Sequence, residues 1–215
     1  MIVGQVVHKA LERFIRARAE AENEGRAGPG DERLQELGRE SFFAMLPRGA
    51  DADAAQLDQV LALLETAAGM LGEAGVQYLE PERMVLFPYE RAGVEHVFEA
   101  KIDRIDQLGD GDQTVLRIVD YKTGHPSKTL LEPKRSDLQL AIYAMALRHE
   151  YGPEALATGE YWLLRTGQRG RLDLSTIDEK KIRTQIDRAI DGMLAGDWPR
   201  ACRPGEGVCS LLDRV

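Results

Sequence analysis

The chain has 215 residues, 43% of them hydrophobic, a formal net charge of −8 and two cysteines. That length and apolar fraction suffice for one ordinary core and speak against two weakly joined domains. No apolar run is long enough to span a bilayer. No signal peptide is expected either, since the first residues lead straight into an amphipathic pattern, so a cytoplasmic location follows as the expectation.

In chain order, Val3, Val7, Ala10, Leu11 and Phe14 recur at helical spacing and predict a helix over Val3 to Ala19. Gly4 and His8 lie one turn apart, the glycine allowing another backbone to approach, and Glu12 lies one turn further on, where it could orient His8. Taken alone, His8 reads as a packed or surface histidine. GRAGPGD, between Asn23 and Asp31, breaks the helix. Two helices rich in Ala, Leu and Glu follow, Leu34 to Leu46 and Ala52 to Leu71, forming a helical insert over about residues 32–74. From Pro81 to Glu90 the pattern is that of a strand, with Met84, Leu86 and Pro88 alternating against Val85 and Phe87.

Val94 to Ile105 also alternates, and Val115 to Tyr121 is short and β-branched enough for one buried strand. Between them Leu108 to Gln113, with two glycines, predicts the turn of a hairpin. Side chains two apart on a strand share a face, so Asp120 and Lys122 converge while Tyr121 points the other way. The hairpin can bring Asp103 beside Asp120, with the register left open. Two carboxylates at one point in a partly buried site repel each other unless a cation sits between them. Hard oxygen ligands there favour magnesium or manganese.

After Lys122, TGHPSKTLLEPKR carries two prolines and a glycine and predicts a loop. Ser136 is the expected cap of the next helix, in which Gln139 and Tyr143, four apart, share a face and Leu138, Ile142 and Met145 form the apolar stripe. A strand over Glu160 to Arg165 and a closing helix over Ile177 to Leu194, ended by Gly196 and Pro199, complete the chain. The expected fold is α/β, a central mixed β-sheet flanked by helices, in one domain over residues 1–215.

The negative charge is not what a nucleic-acid binder leads one to expect. It is unevenly spread: residues 1–100 carry 18 acidic and 10 basic side chains, and the remainder is neutral. Lys122, Lys128, Lys134 and Arg135 face only Glu132 within residues 122–135, and Arg165, Arg169 and Arg171 form a second basic group. Either group could line a groove that follows a phosphate backbone or be ordinary solvated surface.

GQVVHKALE from Gly4, IDRID from Ile102, VDYKTG from Val119 and QLAIY from Gln139 occur in that order. Together they resemble the RecB-type nuclease domain of the PD-(D/E)XK superfamily, from Gly4 to about Trp198. That group includes nuclease modules of bacterial recombination helicase-nucleases and the related CRISPR adaptation nucleases. The resemblance implies a restriction-endonuclease-like core and hydrolysis of DNA phosphodiester bonds with Mg2+ or Mn2+. It implies that His8, Asp103, Asp120 and the Tyr121 carbonyl bind the metal and that Lys122 is catalytic. Gln139 and Tyr143 then lie beside the site and help to hold the substrate strand and the lysine. The implied partners are DNA with a single-stranded segment or end, and a helicase or recombination protein.

Ala100 departs from the glycine that the family often has just before the first aspartate motif. Some relatives hold an iron-sulfur cluster, which needs four thiolates. Here only Cys202 and Cys209 are present, so no iron-sulfur cluster is expected, and no disulfide in a reducing compartment. Two alternatives stand: a catalytically inactive DNA-binding scaffold domain of a recombination complex, although such members usually lose the aspartates or the lysine, and a metal-dependent hydrolase of another substrate. Whether Lys122 acts as a base or as an electrostatic stabiliser is left open at this point.

Overall fold

The structure is a computed structural model that describes residues 2–47, 49, 51–72, 76–108, 115–152 and 156–196. Helices α1 (Ile2–Asn23), α2 (Asp31–Met45) and α3 (Ala54–Met70) precede strands β1 (Val76–Arg91), β2 (Val94–Leu108) and β3 (Val115–Lys122). Then come α4 (Lys128–Leu131), α5 (Leu138–Tyr151), β4 (Leu156–Leu163), β5 (Gln168–Asp173), a 3-10 turn over Leu174–Thr176, and α6 (Glu179–Leu194). The five strands form one sheet in the order β1-β2-β3-β4-β5. Only β3 and β4 run parallel, because α5 carries the chain back between them, and the other pairs are antiparallel. This is the mixed sheet flanked by helices that the sequence leads one to expect.

Strands β1 and β2 are joined by a two-residue turn in which Ala92 (φ 51°) and Gly93 (φ 76°) are both left-handed, as the twist-matched hairpin turn requires. β1 starts earlier than the expected strand. The expected strand begins at Pro81, and the fold carries it back to Val76 with a register shift between Tyr78 and Glu80 and a left-handed Glu82 (φ 51°). The proline is tolerated because β1 is an edge strand. β3 pairs with β2 only from Arg104 to Leu108, so the far half of the β1/β2 hairpin runs beyond the sheet.

The faces of β3 define the layers. Leu116 and Ile118 join Ile105, Leu140, Leu147 and Leu163 in a core beneath α5. On the opposite face Val119 and Tyr121 join Val7, Leu11 and Phe14 of α1, together with Leu34, Phe42, Leu64 and Trp162. Leu11, Leu34 and Leu64 are fully buried, each worth roughly 1.5–3 kcal/mol relative to exposure. Helices α2 and α3 approach closely at Gly38, where a Cβ would come within 2.4 Å of a Leu64 methyl. Ile182, Ile186 and Ile190 of α6 close the far side against Tyr89 and Ala141.

Several expectations are corrected. The cap of α5 is Asp137, not Ser136: its side chain accepts from Leu140 N at 3.0 Å. The expected loop after Lys122 contains α4, capped by Ser127, and α4 lies directly on the unforeseen strand β5, where a Cβ on Gly170 would meet Leu130 O at 1.8 Å. Leu138 is 41% exposed, while Leu140, Ala141, Tyr143, Ala144, Ala146 and Leu147 are buried. Helix α5 is covered by the sheet on one side and by α6 on another, so no single apolar stripe describes it. Pro199, Trp198, Cys202, Cys209 and the Gly109 to Gln113 turn lie outside the described residues. No helix among the described residues is long and apolar enough to cross a membrane.

Candidate active site

His8 projects from α1 toward the junction of β2 and β3. Its Nδ1 lies 3.0 Å from Asp103 Oδ1 and its Nε2 lies 3.0 Å from the Tyr121 carbonyl oxygen. Both partners accept hydrogen bonds, so the ring satisfies them together only when it is protonated. Burial works to lower the His8 pKa, but the hydrogen bond to Asp103 and the charges of Asp103 and Asp120 outweigh it and raise it above its ordinary value. The other oxygen of Asp103 accepts from the Tyr121 amide at 2.9 Å. This bond lies just past the last ladder pair, Arg104 opposite Val119. The register that the sequence leaves open thus puts Asp103 level with Asp120.

Asp120 is 4% exposed. Its Oδ1 accepts from Gln139 Nε2 at 2.6 Å and from the Tyr143 hydroxyl at 3.0 Å, and its Oδ2 lies 2.6 Å from Lys122 Nζ. Burial, then the Asp103 charge, push the Asp120 pKa up, against the pull of Lys122. Lys122 Nζ also donates to Gln139 Oε1 at 3.0 Å, and Gln139 Nε2 lies 2.8 Å from the Tyr143 hydroxyl. Burial, and then the Asp120 charge, push the Tyr143 hydroxyl up, so it remains a donor. The seven candidate site residues thus form two hydrogen-bonded groups, His8 with Asp103 and Tyr121, and Asp120 with Lys122, Gln139 and Tyr143, joined through the main chain of β3.

Two members were not singled out. Tyr161, opposite Asp120 in the β3/β4 ladder, donates to Asp137 Oδ1 at 2.8 Å, and its ring centre is 5.0 Å from Lys122 Nζ. Asp137 thus caps α5 and tethers its first turn to β4. The available signals were a capping residue two places before Gln139 and an aromatic on the expected last strand, both too common to stand out. Two expectations about α1 are corrected. Glu12 does not reach His8; it pairs with Lys9 and Arg16 at 2.6 and 3.0 Å. Burial opposes its ionisation, but hydrogen bonds with Glu82, Lys9 and Arg16 hold its pKa down at about 2. Gly4 admits a side chain rather than a backbone, since a Cβ there would lie 3.1 Å from Thr123 Oγ1.

Behind Tyr121 lies a second polar network. Arg104 donates to the Tyr121 hydroxyl at 2.9 Å and to Asp106 at 3.0 Å; Arg117 donates to Asp106 at 2.9 and 2.7 Å; and Trp162 Nε1 donates to Glu160 at 2.8 Å. The Arg104 guanidinium is 4.2 Å from the Trp162 ring centre. This network braces the strand whose amide and carbonyl meet Asp103 and His8.

Two carboxylates, an imidazole and a main-chain carbonyl make a donor set suited to a hard divalent cation. As the side chains stand, no three His, Cys, Asp or Glu side chains among the described residues are grouped as a ready metal cage. The reason is that Asp120 is turned to Lys122, Gln139 and Tyr143, with the ammonium as its countercharge. A cation entering here must displace that ammonium and a proton from His8. A cavity of about 200 Å³ between α5, α6 and β1, lined by Phe87, Ala144, Met145 and Ile182, includes none of these residues.

A sequence model described as the PD-(D/E)XK nuclease superfamily matches residues 2–211. The chain is similar to the Gene 69 protein of Mycobacterium phage D29, 32% identical over 132 residues, which are 56% of this chain and 45% of that protein. The match thus spans less than half of that relative. Among solved structures the chain is similar to the crystal structure of SSO0001, with a TM-score of 0.40 and 17% identity over 92% of this chain and 76% of the other.

Proposed function

The chain belongs to the PD-(D/E)XK nuclease superfamily, and from that premise we propose that it is a magnesium- or manganese-dependent deoxyribonuclease of the RecB type. In this reading residues 1–215 are one nuclease domain with α2 and α3 as a helical insert, working in DNA recombination or repair, alone or as the nuclease module of a helicase-nuclease. The observation that carries it is that two hydrogen-bonded groups, His8 with Asp103 and Tyr121, and Asp120 with Lys122, Gln139 and Tyr143, meet on adjoining residues of β3. That both groups are complete also supports the active reading over the scaffold alternative.

His8, Asp103, Asp120 and the Tyr121 carbonyl are the residues that would hold the ion. When bound, a divalent cation lowers the pKa of a water and offsets charge that develops on phosphate oxygens. Lys122 is ion-paired with Asp120 and donates to Gln139, so its proposed task is that of a cation and donor, orienting the attacking water and stabilising the phosphate oxygens. Gln139 and Tyr143 keep the Asp120 carboxylate aimed and the lysine within reach. DNA with a single-stranded segment or end is the proposed substrate, and a helicase or recombination protein the proposed partner.

The test is cleavage of end-labelled single-stranded and duplex linear DNA and of a closed circle, with magnesium, manganese or chelator, for the wild type, Asp120→Ala and Lys122→Ala. Metal-dependent cutting that both substitutions lower by about 10²-fold or more is expected. A wild type that binds DNA yet cuts none under any condition would return the chain to the scaffold reading.

A further inference from the structure

The three arginines of the second basic group part company in the fold. Arg169 donates to Met70 O at 2.8 Å and lies over the Trp162 ring, 4.4 Å from its centre. Arg171 leans toward Glu160, with Nε 3.9 Å from Oε1. Arg165 does neither. Its side chain is exposed, its Nε donates to Thr123 O at 2.8 Å, and among the described residues its guanidinium meets no carboxylate. Thr123 directly follows Lys122.

We propose that Arg165 binds a backbone phosphate of the substrate strand, flanking the phosphate that reacts at Lys122. This rests on the nuclease reading and adds to it a residue that touches the substrate away from the bond being cut. A guanidinium carries five N–H donors in a rigid planar fork. With Nε spent on a main-chain carbonyl, the plane is oriented and the two terminal nitrogens remain for the bidentate contact that phosphate oxygens favour. A neutral carbonyl anchors the group without cancelling its charge.

The anchor is itself held in place. Leu164 N donates to Lys122 O at 3.0 Å, extending the β3/β4 pairing by one residue, and Thr166 and Gly167 both donate to Leu163 O, at 3.1 and 2.9 Å. Arg165 therefore sits inside a closed turn, in which Gly167 is left-handed (φ 66°). On the other side α1 closes on Thr123 at Gly4, where a Cβ would come within 3.1 Å of Oγ1. The anchoring carbonyl thus belongs to the residue next to Lys122, and the two cations point different ways. Lys122 is turned inward to Asp120 and Gln139, and Arg165 faces outward on the rim.

Steady-state cleavage of single-stranded and duplex DNA in magnesium, across a series of salt concentrations, tests this with Arg165→Gln, Arg165→Lys and, as a surface control, Arg171→Ala. Arg165→Gln retains an N–H donor for Thr123 O but no charge. It is expected to raise KM about 5- to 20-fold near ~0.1 M salt with kcat within about twofold, the pattern of lost uniform binding. The slope of log KM against log salt should become shallower by about 0.7 on single strands or 0.9 on duplex, one phosphate contact fewer. Arg165→Lys should keep the wild-type slope, and Arg171→Ala should match the wild type. A wild-type slope in Arg165→Gln overturns the proposal even if that variant is slower or less stable, because a structural role does not change the number of counterions released. In that case the nuclease reading stands. A wild type that cuts nothing removes the nuclease reading and this proposal with it.

Discussion

Two polar networks lie on opposite faces of β3, the rear one buried and the front one partly exposed, and they differ in which charges they can give up. Behind the strand, Arg104 and Arg117 enclose Asp106, with side-chain exposures of 0%, 2% and 0%, and both cations are guanidiniums that stay charged at any pH a protein meets. In front, Asp103 and Asp120 are matched by His8 and Lys122. One of those cations loses its charge by releasing a proton, and the other sits on a flexible arm. The rear network is thus a fixed brace, whereas the front one is balanced by groups that can release a proton or swing away. Buried charge is common to both networks, and countercharges of that kind distinguish the front one.

The comparison breaks most readily at Asp106. Asp106→Asn removes the charge that two buried guanidiniums share and is expected to cost about 3–5 kcal/mol. For a chain of this size that lowers the thermal midpoint by ~10 °C or more. A loss under about 1 kcal/mol would mean that the rear network is not a brace. The matching change in front has the opposite profile. Asp120→Asn should lower metal-dependent cleavage by about 10³-fold while leaving stability within ~1 kcal/mol of the wild type or raising it, since burial and Asp103 already strain the ionised carboxyl. Thermal unfolding beside the cleavage assay separates the two, and a fall of several kcal/mol in Asp120→Asn would erase the distinction.

The smallest effect sharpens the edge of the front network. The Glu12 carboxyl is held at about 2, below its ordinary 4.5, so its contribution is fully present above the ordinary value and is lost as pH falls through about 2. Its partners Lys9 and Arg16 are about half exposed, which screens the interaction to ~1 kcal/mol or less. The gap in thermal midpoint between wild type and Glu12→Gln should therefore be constant from neutrality to about pH 5 and shrink toward pH 2. A gap that widens on acidification would show that the carboxyl is not held down in the fold.

Local chemistry made much of the site legible. A strand that alternates must put Asp120 and Lys122 on one face, and a helix must align Gln139 with Tyr143, whatever surrounds them. The cap of α5 was not legible, because Ser136 and Asp137 are both good caps and the choice depends on Tyr161 reaching across from β4 to hold Asp137. Helix α4 was hidden because four residues are too few to show a period or to be stable alone; it persists by resting on β5 at Gly170.

By itself, the sequence determined most of the elements, the mixed α/β class and which near neighbours share a face, since periodicity and side-chain direction act within a few residues; the full set of side chains that meet was implied by the resemblance. Only the tertiary structure decided the register of β2 on β3, because it depends on which faces of both strands are buried, and the bond from Asp103 to the Tyr121 amide continues it past the ladder. It also decided the fates of Arg165, Arg169 and Arg171, which are alike in the sequence. Their partners are a carbonyl after Lys122, an aromatic ring with the end of α3, and a buried carboxylate. A charge is read from the residue type, but its availability depends on neighbours that are distant in the chain.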